Sequence, residues 1–255
     1  MRTMLAALAA GAAATLAATL ALPAAAQAAT TLASAVPAPQ KSLYVAGYQQ
    51  TGCNHNGYPV YIEISGTVKV PTATDPTGTP GISYDLYSFG GLNSGVSGGV
   101  AVDNSDDQAF YTAFGEWNGL PVTAFSVQPG DKLQVTIENE GSSGYLVEIF
   151  DENSGQEWAQ VNPDSSANEC QAAAYEESPY PSYDFTTKTT PVAFDFTRVW
   201  WGEEGQGVAK VSKLLGKLPT YAELYRFNLV NASGATVAAT SKPTDSNNNF
   251  TVTDK

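Results

Sequence analysis

Histidine occurs once in the 255 residues, as His55, and cysteine twice, as Cys53 and Cys170. The histidine sits in Gly52-Cys53-Asn54-His55-Asn56-Gly57, a polar, turn-like stretch where a solvated side chain is the plain reading. A Ser-His-Asp or Cys-His site would have to be built on that one residue. With no Cys-x-x-Cys and no second histidine, the common zinc ligand sets are missing as well. Basic residues are scarce: 12 Lys and Arg stand against 25 Asp and Glu, a formal net charge of −13. Such a field repels phosphates and argues against nucleic acid and anionic membranes as partners. It suits either plain solubility or work in acid. No phosphate-binding glycine loop precedes a helix. Asp103-Asn104-Ser105-Asp106-Asp107 offers oxygen ligands without calcium-loop spacing and reads as an exposed polar loop. No metal and no other cofactor is expected.

Long apolar runs are confined to the first residues. Arg2, an Ala/Leu-rich run and the small-x-small pattern Ala26-Gln27-Ala28 make residues 1–28 an expected secretory signal peptide. The run meets Pro23 and has no stop-transfer pattern after it, so no membrane anchor is expected once it is removed. The protein is expected to be extracellular. Residues 29–41, rich in Ala, Thr, Ser and Pro, read as a disordered leader. Residues 42–255 suit one domain with a full core, taken as a monomer. In an oxidising compartment Cys53 and Cys170 are expected to pair, two free thiols being the alternative. The long loop so closed is worth roughly 4–5 kcal/mol in the chain-entropy model.

What the chain has in quantity is alternation. Ile62, Ile64, Val68 and Val70 fall on one side of a strand, with Tyr61, Glu63, Thr67 and Lys69 on the other. Residues 132–138 alternate as clearly behind the turn Pro129-Gly130-Asp131. Strands follow at 145–150 and 157–161, with weaker ones at 43–48, 82–88, 96–102, 122–127, 171–177, 192–199, 224–230, 235–240 and 248–253. Asn231-Ala232-Ser233-Gly234 marks a hairpin. Many short strands between turn residues mean an all-β sandwich or barrel. One stretch is spaced like a helix: Val208, Val211, Leu215 and Leu218, ended by Gly216 and Pro219.

Residues 109–117 alternate like a strand. Phe110, Thr112, Phe114 and Glu116 share one face, which places one carboxylate among aromatic rings. Such a group is either a poorly solvated acid with a raised pKa, fit for proton transfer, or a strand-end residue that reaches water.

Several stretches, in order, resemble the glutamic peptidases, or eqolisins. Ala46-Gly47 is similar to the family's Asn-Trp-x-Gly, Thr67 to Pro71 to its Val-Pro strand end, and Phe114-Gly115-Glu116-Trp117 to its Trp-Tyr-Glu-Trp. Val127-x-Pro129-Gly130-Asp131 resembles its Pro-Gly-Asp turn, and Ala174-Tyr175-Glu176-Glu177-Ser178-Pro179 its Trp-Ile-x-Glu-x-Pro. Residues 227–252 resemble its closing hairpins. The resemblance covers most of 43–253 and implies an antiparallel concanavalin-like β-sandwich in a single domain, acting on polypeptides in acid through a Glu and a Gln that hold one water. Carried over by position, it implies Glu116 as the general base, with Tyr84, Phe114, Trp117 and Glu177 as binding residues. The Gln does not carry over: Ser97 or Gly98 stands in its place, and Gln50 of Gln50-Thr51-Gly52 is the one substitute, if its loop folds back over the cleft. An oxyanion donor is worth roughly 10²–10³-fold in rate.

Two functions stay open. One is an acid-active endopeptidase with Glu116 as base and Ser97 or Gln50 as an altered partner. The other is a non-catalytic relative that binds peptide or glycan through an aromatic concave face. A glycoside hydrolase using Glu116 and Glu177 is a third reading, with no motif to support it.

Overall fold

The computed structural model describes residues 36–51, 60–74, 81–89, 95–105, 108–163, 170–178, 189–203, 207–211, 223–243 and 249–255. Their regular structure is almost entirely strand. The first six strands are β1 (Gln40–Ser42), β2 (Val45–Thr51), β3 (Val60–Lys69), β4 (Gly81–Phe89), β5 (Val96–Ser105) and β6 (Gln108–Trp117). Next come β7 (Leu120–Ser126), β8 (Lys132–Asn139), β9 (Tyr145–Asp151), β10 (Glu157–Asn162) and β11 (Gln171–Glu177). The last five are β12 (Val192–Glu203), β13 (Gly207–Val211), β14 (Glu223–Val230), β15 (Thr236–Thr240) and β16 (Asn249–Asp254).

Hydrogen bonding links them in the order β10-β9-β8-β3-β12-β16-β15-β14-β2-β11-β4-β5-β6-β7, with β1 on β14 and β13 on β12. Every pairing is antiparallel except that of β1 with β14. This path doubles over, so that its first strands cover its last. The Tyr87 hydroxyl donates to the Thr67 carbonyl at 2.7 Å, and Trp117 Nε1 donates to the Tyr145 carbonyl at 3.2 Å. Tyr48 meets Phe250 edge-on with centroids 4.9 Å apart. The result is the antiparallel sandwich that the alternation implies.

The alternation fixes which side chains fill it. Ile64, Val68, Leu133, Val135 and Ile137 are completely buried, as are Val147 and Ile149 on β9. Each such side chain contributes about 1.5–3 kcal/mol over leaving it in water. The turns follow the sequence signals: Asp131 Oδ2 accepts from the Gln128 N–H at 2.8 Å, and Asn231 Oδ1 accepts from the N–H groups of Ser233 and Ala235. The helix-like spacing at 208–218 does not make a helix over its first part. Residues 207–211 are β13, paired with β12 from Val199↔Val211 to Glu203↔Gly207; the hairpin ladder satisfies the backbone, and the β-branched valines suit it. Residues 212–222 lie outside the described residues.

Strands β2, β11, β4, β5 and β6 carry a second apolar cluster on the side away from this core. Val45, Leu86, Ala101, Phe114, Ala173 and Tyr175 are buried there, flanked by Tyr44, Ile82, Tyr84 and Phe227. The candidate site lies on that side.

Candidate functional site

Directly opposed residues of neighbouring strands share a face, so the registers give the layout of this side row by row. Glu116 faces Ser97, Ser97 faces Ser88, Ser88 faces Ala173, and Ala173 faces Gln49. The next row runs Phe114, Gly99, Leu86, Tyr175, Gly47 and Phe227. The third runs Thr112, Ala101, Tyr84, Glu177 and Val45. Gly99 is required by close approach, because a Cβ there would lie 2.0 Å from the Asp85 carbonyl oxygen. Tyr84 and Phe114 stand against each other with centroids 5.2 Å apart.

Two carboxylates and a phenol converge on this surface. Glu116 is half-buried and burial pushes its pKa up. Glu177, also half-buried, is pushed up to about 7, first by burial and then by the charge of Glu116. Three strand spacings across the sheet, roughly 14 Å, and four residues along it, roughly 13 Å, separate their backbones, yet the Glu116 charge is felt at Glu177. Tyr175 lies between them in the rows. Its hydroxyl is driven well above the ordinary tyrosine value by burial and by the negative charges of Glu177 and Glu116, against a hydrogen bond with Ser88. At any working pH the phenol therefore keeps its proton and is a donor.

The register settles where each anticipated residue stands. Glu116, Ser97, Tyr84, Phe114 and Glu177 share this face. Of the two residues aligned with the missing Gln, Ser97 is opposite Glu116 and Gly98 points into the core, where an added Cβ would meet Val147 at 2.8 Å. Gln50 is opposite Ala172 on the core side and 1% exposed, so it cannot share a water with Glu116; its neighbour Gln49 has the right parity, four strands away. Trp117 is likewise turned inward, packed on Trp158 at 5.7 Å and bonded to the Tyr145 carbonyl, because it follows Glu116 by one residue. Cys170 lies directly before β11; Cys53 is outside the described residues. Tyr175 and Ser88 escaped the sequence reading, although alternation through 171–177 places Ala173, Tyr175 and Glu177 together. Among the described residues no three His, Cys, Asp or Glu side chains are grouped to hold a metal ion.

A protonated carboxyl beside an ionisable one, with hydroxyl donors and aromatic walls, can transfer protons to and from a bound polar group. Residues 44–252 match the peptidase A4 family. The fold is similar to that of scytalido-glutamic peptidase solved with a transition state analog inhibitor, at 15% identity and a TM-score of 0.61, covering 83% of this chain and 98% of that one. It is similar to SCP-B, a member of the eqolisin family solved with the tripeptide Ala-Ile-His, at 15% identity and 0.60, with the same coverage. Aspergilloglutamic peptidase from Aspergillus niger matches at 18% identity and 0.50, covering 68% of this chain and 99% of that one. No curated protein matches the sequence. A family match over most of the chain, on the sandwich its sequence implies, makes this protein a member of the peptidase A4, or glutamic peptidase, family.

Proposed function

We propose that the protein is a secreted, acid-acting endopeptidase in which Glu116 and Glu177 work as a pair. One observation carries this reading: two partly buried carboxyls stand on one face, both raised by burial and Glu177 further by the charge of Glu116, so the pair keeps one proton over a range of pH. Within that range Glu177 holds the proton and Glu116 is ionised. Glu116 then takes a proton from a water that attacks the scissile carbonyl, and Glu177 gives its proton to the departing amine. The tetrahedral oxyanion needs a donor. Ser97 stands where the family has an amide, and the Tyr175 hydroxyl supplies a second, longer donor. The tripeptide bound by SCP-B supports a polypeptide substrate, and the aromatic face of Tyr84, Phe114 and Phe227 is where it would lie.

Activity should then rise with pH as Glu116 ionises and fall as Glu177 loses its proton near pH 7. Cleavage of an unfolded protein from pH 2 to 8 checks this, with Glu116→Gln and Glu177→Gln alongside wild type. Each variant should lose about 10²–10⁴-fold in kcat. Loss in Glu177→Gln alone would move the general base to Glu177. A folded wild type without cleavage at any pH would sink the enzyme reading. The substitution of Ser97 for an amide favours, as a second reading, a relative that only binds peptide or glycan on the same aromatic face; retained peptide affinity without turnover would select it.

Secretion rests on residues 1–28 and on the cysteines. Thr51 faces Gln171 in the β2–β11 ladder, which brings the chain ahead of Cys53 beside Cys170 and supports a disulfide between the two. Mass measurement before and after reduction tests it.

A further inference from the structure

The strands that present Glu116 and Glu177 outward carry other acids inward. Asp85 on β4 and Glu176 on β11 are direct register partners, both completely buried on the core side. Asp254, near the end of β16, reaches the same place from the opposing layer, and its charge acts on both. No amide or hydroxyl donor reaches any oxygen of Asp85 or Glu176, and the Ser83 hydroxyl, on the same face of β4 and also completely buried, has no partner. The Asp254 carboxyl is near enough to Glu176 that a proton on either could be shared between them. Asp254 also accepts the Thr189 N–H at 2.7 Å, which ties in the segment that bridges to Ala73.

Among the described residues the surroundings offer no countercharge. Ala46 lies opposite Glu176 on β2 and Val100 opposite Asp85 on β5. Tyr87, next along that face of β4, gives its hydroxyl to the Thr67 and Asp195 carbonyls, and the Asp195 charge bears on Tyr87. Among the described residues the charges felt at Asp85 and Glu176 are acidic. Ionised, Asp85 and Glu176 would have only repulsion and lost hydration in such a place, whereas protonated they can bond to a neighbouring carboxyl.

We propose that Asp85, Glu176 and Asp254 form an acid-dependent lock between the two layers of the sandwich, closed by protons held within the cluster and released as they leave. The sign follows from where the protons are. Burial first, and then carboxylic neighbours, raises both Asp85 and Glu176 well above their unfolded values of roughly 4. The folded state therefore binds more protons than the unfolded chain. The stabilisation is complete below about pH 4 and is lost as pH rises toward the folded pKa values, by about tenfold in the folding equilibrium per pH unit for each retained proton. The protein is then built to hold together in acid and to let go of β16 toward neutrality, whatever chemistry the outward face performs.

Denaturant unfolding of the full chain at pH 3 to 7 tests this, with Asp85→Asn and Glu176→Gln, which mimic the protonated acids in shape. Asp85 and Glu176 together should cost wild type up to about a hundredfold in folding equilibrium per pH unit above pH 4, and each variant should lose about tenfold less per unit than wild type. The variants should also outlast wild type at pH 7. Glu177→Gln removes a raised acid from the outer face and separates its share of the slope. As a second readout that needs no variant, amide exchange within Asn249–Asp254 should quicken ahead of the rest of wild type as pH rises. Variants with the wild-type slope, or β16 amides whose protection holds from pH 4 to 7, would overturn the lock.

Discussion

Glu176 and Glu177 are neighbours in sequence and opposites in situation. Both belong to β11 and both have raised pKa values, in each case first by burial. The step of one residue sends Glu177 to the face it shares with Glu116, half-buried opposite Tyr84 and one row from the Tyr175 phenol. The same step sends Glu176 into the core, completely buried, against two other acids. On the outer face the raised pKa keeps a proton where a substrate can take it. On the inner face it keeps a proton where only the fold can use it. A shifted carboxyl is therefore not by itself a functional signal: what separates the two is whether anything but protein can reach it.

The sharpest way to break that contrast is to make one substitution on each face. Tyr175→Phe removes the hydroxyl between Glu116 and Glu177, and Tyr87→Phe removes one from the core. We expect Tyr175→Phe to lower kcat about 10²-fold, with KM little changed and a stability cost near 1 kcal/mol for the bond to Ser88. Tyr87→Phe should cost about 1–3 kcal/mol, because the buried Thr67 carbonyl loses its 2.7 Å donor, and should leave kcat alone. Steady-state kinetics with denaturant unfolding on both variants decides. An unchanged rate in Tyr175→Phe would leave Ser97 as the donor; a rate loss in Tyr87→Phe would mean the two faces are coupled through β4.

The sequence carried the strands better than their register. Alternation at 61–70 and 132–138 is period-2 physics, legible in a single chain, and so is the sandwich it builds. Which strands lie side by side is set by long-range pairing, and the site depends on that. The place of Ser97 opposite Glu116 needed the β5–β6 register, and the exclusion of Gln50 needed β2 against β11. Some signals were readable and passed over. Trp117 has the wrong parity to share a face with Glu116, and Tyr175 the right parity to share one with Glu177. Asn118-Gly119, with φ of 54° and 77°, closes the β6–β7 hairpin as a tight turn that such a dipeptide announces. The inward acids were hidden for a different reason. Asp85 and Glu176 break the rule that a core position is apolar, and nothing local says that protons will make up the difference.

The smallest effect we expect lies at the outer end of the Glu116 face. Phe110 has the parity of Phe114 and Glu116, but is 49% exposed, beyond the buried cluster that Phe114 joins. Its ring contributes little to the fold, so Phe110→Ser should stay within about 0.5 kcal/mol of wild type. An exposed ring in line with the proposed Glu116–Glu177 pair gains its value only when an extended chain covers it. Long peptides should then lose a few-fold in KM, or in Kd for an inactive Glu116→Gln background, while short peptides that end near Glu116 should lose nothing. Equal losses for long and short peptides would place Phe110 outside the groove. A stability loss above 1 kcal/mol would mean that the ring packs on the protein rather than waiting for a ligand, and the contrast between an outer face for substrate and an inner face for the fold would have to be redrawn at its edge.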